Sequence, residues 1–179
     1  MRIGSWGVAA LAAIGFLAMS VAGAGADQAK SQVFKSWSLD CTTVKPSQGS
    51  TAKARTFCII HHEVVDENDS TKIQLSARAR YFGQERKPYF ILLLSPASNL
   101  QKGVRLQVDK GTTYGAKIEL CDQQVCTCRF PLTDDILKQF KSGTDLNLVY
   151  LINPQSVMKA TVPLAGFATA LDALQKTGS

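Results

Sequence analysis

From residue 36 onward the chain alternates apolar and polar residues in runs of strand length. "TKIQLSARARYF" (71–82) is the clearest. Ile73, Leu75, Ala77, Ala79 and Tyr81 fall on one side, and Lys72, Gln74, Ser76, Arg78 and Arg80 on the other. A period of two marks a strand with one face buried. "SWSLDC" (36–41) sets Trp37, Leu39 and Cys41 on one side, and "GVRLQVD" (103–109) alternates Val104, Leu106 and Val108 with Arg105, Gln107 and Asp109. "TFCIIHHEVV" (56–65), "AKIELC" (116–121), "DLNLVYLIN" (145–153) and "SVMKATVPL" (156–164) continue the series. "YFILLLS" (89–95) reads as a strand buried on both faces. The connecting pieces, among them "VKPSQGST", "DENDS", "FGQERKP" and "DKGTTYG", carry turn chemistry.

Two segments follow a helical period instead. In "PLTDDILKQFKSG" (131–143), Ile136, Leu137 and Phe140 form the apolar stripe. Thr133 is placed to cap the N-terminus, Asp134 and Asp135 sit at its positive end, and Gly143 is placed to end the helix. "LAGFATALDALQK" (164–176) puts Phe167, Ala170, Leu171 and Leu174 on one face. Many short strands with one or two short helices predict a mainly β fold. The expected form is a β-sandwich, immunoglobulin-like or jelly-roll-like. A closed barrel around a ligand cavity is the competing architecture.

The first residues have a different character. Arg2 is followed by an apolar stretch from Trp6 to Val21 and then by Ala24-Gly25-Ala26. This order predicts a secretory signal peptide over 1–26 and a single domain over 27–179. The Gly and Ala content makes the stretch a poor membrane anchor, and no later run is long enough to span a bilayer as a helix. No transmembrane segment is therefore expected in the mature chain. Removing Arg2 lowers the formal charge from +6 to +5. That mild excess permits peripheral contact with an anionic membrane or an acidic partner. No basic-aromatic motif of a nucleic-acid binder is present, so no nucleic acid is expected as a partner.

Five cysteines remain: Cys41, Cys58, Cys121, Cys126 and Cys128. In an oxidising compartment neighbouring thiols become bridges. Antiparallel pairing would bring Cys41 near Cys58. Cys121 and Cys126 flank "DQQV", which can form a hairpin turn. Cys128 shares a strand face with Cys126 and competes with it for Cys121. One thiol of the odd set stays free or joins a second chain, which makes a dimer through Cys128 one option. C-x4-C-x-C with His61 or His62 numbers enough ligands for zinc. The spacing is not that of a zinc module, and adjacent histidines on a strand point to opposite faces. No metal and no cofactor are expected.

No nucleophile elbow, phosphate loop or dinucleotide fingerprint is present. Asp109, Asp122, Asp134 and Asp135 fall where acids form turns or cap helices. No catalytic residue is named and the chain is not expected to be an enzyme. Arg78 and Arg80 form a basic line on one strand face, with Arg86 and Lys87 in the next loop. These four are the candidate contacts for an anion, a headgroup or an acidic partner.

"W-x-L-x-C" at 37–41, the second cysteine at 58, "GVRLQVD", the Cys121 and Cys126 pair and "PLAGFATAL" (163–171) occur in that order. This set resembles the invasion-associated locus B family of exported bacterial proteins, across nearly the whole mature chain. Val125 stands where the family usually has Gly, Pro163 where it more often has Ser, and Cys128 is extra. The resemblance implies disulfides Cys41–Cys58 and Cys121–Cys126, which leaves Cys128 a free thiol. It implies a compact β-sandwich in the periplasm or cell envelope and, in some pathogens, a link to host-cell invasion. The expected function is a non-enzymatic envelope protein that binds a partner protein or an envelope surface component. A small-ligand carrier with a barrel-like cavity is the alternative, and a thiol-active protein using Cys126 and Cys128 is another.

Overall fold

The computed structural model describes residues 30–46, 51–66 and 68–178. The expected signal peptide, 1–26, lies outside the described residues. Eleven strands and two helices follow one another: β1 (Lys30–Phe34), β2 (Trp37–Val44), β3 (Arg55–Val65), β4 (Ile73–Phe82), β5 (Lys87–Leu94), β6 (Val104–Val108), β7 (Thr113–Ala116), β8 (Ile118–Cys121), β9 (Cys126–Pro131), α1 (Asp134–Ser142), β10 (Asp145–Leu151), β11 (Val157–Pro163) and α2 (Phe167–Lys176). They form a seven-stranded sheet, ordered β1-β2-β3-β4-β5-β9-β8, and a four-stranded sheet, ordered β11-β10-β6-β7. All pairings are antiparallel. The two sheets stay separate and pack face to face as a β-sandwich, so the competing closed barrel does not form.

The period-two pattern becomes rows of side chains. Leu39, Ile60, Ala79, Phe90 and Phe130 stand opposite one another across five strands of the large sheet. The first four are fully buried. From the small sheet Leu106, Leu146, Leu148 and Val162 meet them in the core. At one end α2 packs on β1 to β4 and brings Phe167, Ala170, Leu171 and Leu174 inward, none of them exposed. Its Phe167 ring meets Trp37, Phe90 and Phe140 edge-on at 5.0, 6.3 and 5.5 Å. Aromatic rings gain from such edge-to-face contact beyond the area they bury.

Several details depart from the sequence expectation. β1 was not expected, because "KSQVF" is short and its apolar residues do not alternate over a useful length. "DKGTTYG" carries turn chemistry, yet its last three residues and Ala116 ("TYGA") form β7. "AKIELC" is not one strand: the chain leaves the small sheet at Ala116 and joins the large one at Ile118. "YFILLLS" buries only one face completely, since Phe90, Leu92 and Leu94 are in the core while Tyr89, Ile91 and Leu93 are half-buried. A strand of the large sheet has the small sheet against one side only. Thr133 holds the N-cap of α1, but its side chain makes no capping hydrogen bond. Gly143 ends α1 in extended backbone. A Cβ there would lie 2.2 Å from Val108 Cγ1, so the glycine is needed for the close approach of the helix end to β6. Next to it the Asp109 carboxylate accepts from the backbone N–H groups of Thr144 and Asp145. The acid that ends "GVRLQVD" is thus a clamp between β6 and β10, in line with the turn role expected of it.

Both disulfides lie within the large sheet. Cys41 and Cys58 are directly opposite in β2 and β3, and Cys121 and Cys126 are directly opposite in β8 and β9. Each pair is bridged. Their sequence separations of 17 and 5 correspond to about 3 and about 2 kcal/mol in the chain-entropy model.

Candidate functional site

Alternation that fills one side of the large sheet leaves the other side for solvent. Ser38, His61, Arg78, Ile91 and Arg129 are in register across β2, β3, β4, β5 and β9 on this outer face. Arg80, Tyr89 and Pro131 form the next row, and Phe82 follows opposite Lys87. Phe57, opposite Thr42, is 42% exposed. The face is a mosaic of rings, aliphatic side chains and guanidinium groups.

Arg80 is at its centre. Its guanidinium carbon lies 4.8 Å from the centroid of the Phe82 ring and 5.7 Å from that of Phe57. Arg129 approaches the Phe82 ring at 5.5 Å. A guanidinium over a ring face is attracted by the ring quadrupole and is spread flat on it. Arg129 also pairs with Glu119 at 3.1 Å. Arg78 donates from Nε to Ser76 Oγ at 2.8 Å and lies 3.9 Å from Glu63. Arg80 has no carboxylate among the described residues, and its Nε is buried without a hydrogen-bond partner.

A second cluster adjoins the first. His61 Nε2 meets Asp40 Oδ2 at 2.7 Å, and its Nδ1 lies 3.6 Å from Glu63. Ser76 donates to Glu63 at 2.8 Å. Hydrogen bonding from Ser31 holds the Asp40 carboxyl below the usual carboxylate range; burial opposes this and His61 adds to the lowering. His62 points the other way, with Nδ1 at 2.6 Å from the Ser36 carbonyl oxygen and its ring near Trp37. The two histidines therefore serve opposite faces. Among the described residues no group of three or more His, Cys, Asp or Glu side chains is arranged so that it could hold a metal ion.

The four basic residues singled out from the sequence do not share one place. Arg78 and Arg80 are on the outer face. Lys87, at its border, pairs with Glu85 at 2.7 Å. Arg86 turns to the other side, where its guanidinium lies over the Tyr81 ring at 5.3 Å and donates to the Gln175 carbonyl at the end of α2. A cation there complements the negative end of the helix. Phe57, Phe82, Tyr89 and Arg129, which complete the surroundings of Arg80, were not singled out. Only the i, i+2 spacing of Arg80 and Phe82 was visible in the chain; the others arrive through strand register.

Cys128 stands opposite Leu92 of β5 and Ile118 of β8 and is fully buried. A second chain's thiol could reach it only if β8 or β9 opened. Burial first, and nearby Glu119 second, push its thiol from 9.0 up to about 12. Since the thiolate is the nucleophile, this thiol is inert in the folded chain. The unfolded chain loses the proton near pH 9 and the folded chain only later. The stability gained from the neutral buried thiol is thus present below about pH 9 and falls as pH rises toward 12. Iodoacetamide at pH 8 is expected to leave Cys128 unmodified in the folded protein and to label one thiol per chain after denaturation, read by intact mass. Labelling of the native protein within minutes would show that the site opens readily.

Open clefts lie at the rims of the sandwich. One of about 500 Å³ lies between the sheets, bordered by Glu63, Arg78, Leu94, Tyr150, Ile152 and Met158. No helix among the described residues is long and apolar enough to cross a membrane.

The family model described as invasion associated locus B (IalB) protein matches residues 37–175. No curated protein is similar enough to match. Among solved structures, the crystal structure of invasion associated protein B from Bartonella henselae superimposes with a TM-score of 0.68 at 20% sequence identity. The match covers 83% of this chain and 97% of that one. At that identity the likeness is one of fold.

Proposed function

The chain belongs to the invasion associated locus B family, and from that premise we propose that it is an exported, non-enzymatic cell-envelope protein that acts by binding another protein or a surface component. The observation that carries this reading is the outer face of the large sheet. It exposes rings and guanidinium groups together, the residue types enriched where proteins meet. The two disulfides suit the periplasm or envelope, where bridges form and persist. The secretory character of residues 1–26 points the same way. The invasion link in the family's name makes a host-cell surface the second place to look for the partner, after the bacterial envelope.

The test is a photo-crosslinking amino acid placed at position 82 on the outer face, with position 105 on the exposed face of the small sheet as control. In intact cells, covalent adducts from position 82 are expected to exceed those from position 105 at least fivefold. Equal or absent adducts at both positions would sink the reading. A small-ligand carrier is the second reading, favoured by the cleft of about 500 Å³ with its apolar wall and its Arg78–Glu63 border. Recovery of a stoichiometric small molecule from the purified native protein would move that reading to the front.

A further inference from the structure

We propose that Arg80 is the anchor of the outer face and that its partner is a protein that sets an Asp or Glu carboxylate on it. The inference rests on the reading above, that this face binds, and adds the chemistry of what it binds.

Three observations on the face lead there. First, the cations differ in what they already hold. Arg129 has Glu119 and Arg78 has Ser76 and Glu63, whereas Arg80 has no carboxylate among the described residues and an Nε without any acceptor. Among the described residues no acid of the same chain competes for the Arg80 guanidinium, so a carboxylate brought by a partner finds its terminal nitrogens unclaimed. Second, the Arg80 guanidinium carbon lies 5.7 Å from the Phe57 ring centroid and 4.8 Å from that of Phe82, with Tyr89 directly opposite Arg80 in β5. Ring contact limits the motion of a planar fork, which suits it to bidentate recognition of a carboxylate. Third, acids share the face: Asp40 meets His61, Glu63 lies by Arg78 and Glu119 pairs with Arg129. Such a mosaic repels a uniformly anionic bilayer as much as it attracts it. It complements a protein surface of mixed sign. Lys87, at the border of the face, is already paired with Glu85, which also argues for a protein over a membrane.

Three probes distinguish the outcomes. The first is a blocked octapeptide of alternating Val and Glu, the second its Val/Gln counterpart, and the third vesicles of phosphatidylglycerol and phosphatidylcholine. The Nε–H resonance of Arg80 reports contact, and fluorescence anisotropy reports affinity. The Val/Glu peptide is expected to bind at least tenfold more tightly than the Val/Gln peptide and to shift the Arg80 resonance. Arg80→Gln should remove the difference, Arg80→Lys should keep only part of it because an ammonium cannot fork, and Arg105→Glu on the opposite sheet should change nothing. The same thermal unfolding midpoint for Arg80→Lys and the unmodified protein would show that the loss is not one of folding. Equal binding of the two peptides, or an Arg80-dependent response to the vesicles alone, overturns the proposal. Adducts from position 82 that persist in Arg80→Gln would overturn it too, while leaving binding by this face intact. Failure of adducts altogether would instead remove the broader reading.

Discussion

Replacing Trp37 with alanine is expected to cost about 4 kcal/mol of stability, the range for large aromatic truncations in a packed core. Trp37 is fully buried. Its ring stands at 5.0 Å from Phe167 and 6.1 Å from Phe90, with His62 on a third side. Its indole N–H donates to the Pro163 carbonyl at 2.9 Å, tying the start of β2 to the end of β11, 126 residues away. Truncation therefore opens a cavity where both sheets and α2 meet, and it leaves the Pro163 oxygen without its donor. Trp37→Phe keeps much of the packing and loses the hydrogen bond, so it should cost about half as much. Urea unfolding with the disulfides intact would measure both variants. An alanine variant within 1 kcal/mol of the parent would mean that the aromatic cluster is not the centre of the core.

Gly166→Ala is expected to be nearly as damaging, by about 3 kcal/mol, although it adds a single methyl group. Gly166 precedes α2 with φ at +92°. A Cβ at that position would lie 1.8 Å from the carbonyl oxygen of Phe34 and 2.7 Å from its carbon. Both are backbone atoms at the end of β1, so no rotamer change relieves the clash. The β1–β2 turn is also tied there, since Ser36 N–H donates to the Ala165 carbonyl at 3.2 Å. The methyl group would push this turn off the helix that covers the aromatic cluster. For a domain of this size the melting temperature should fall by roughly 6–12 °C. Gly83→Ala is the control, because Gly83 has φ at +72° with nothing within 4 Å of an added Cβ. It isolates the backbone term, about 1–2 kcal/mol. If the two variants melt together, the close approach of Gly166 to Phe34 is not what makes the glycine necessary.

This second case shows how sequence and structure divide the explanation. The motif "PLAGFATAL" marks the glycine and the helix after it, and the spacing of Phe167, Ala170, Leu171 and Leu174 shows which face goes inward. The chain gives no sign that the glycine is needed for the carbonyl of Phe34, because β1 itself was not recognisable. A five-residue edge strand forms only because β2 offers it a row of backbone partners. β7 has the same origin: "TYGA" has little strand character alone and pairs because β6 lies beside it.

The candidate site was legible to a similar extent. Alternation along 71–82 placed Arg78 and Arg80 together on one side of a strand, and the structure keeps them there. Arg86, near them in sequence, goes to the end of α2 after the turn reverses the chain. Phe57 and Arg129 come from β3 and β9 and reach Arg80 and Phe82 only through strand order. Cys128 is the thiol that the two bridges leave over. The same alternation that sets it beside Cys126 turns it into the core.

By itself, then, the sequence determined the class of fold, the inward faces of most strands and both helices, and the family. Those follow from local period and from motif order, which any stretch of chain carries within itself. Only the tertiary structure decided which strands are neighbours, where the chain changes sheet, which thiol is sealed and which cation is left without a partner. These depend on register between segments far apart in the chain, and a shift of one residue in any pairing would send a different set of side chains to the outer face.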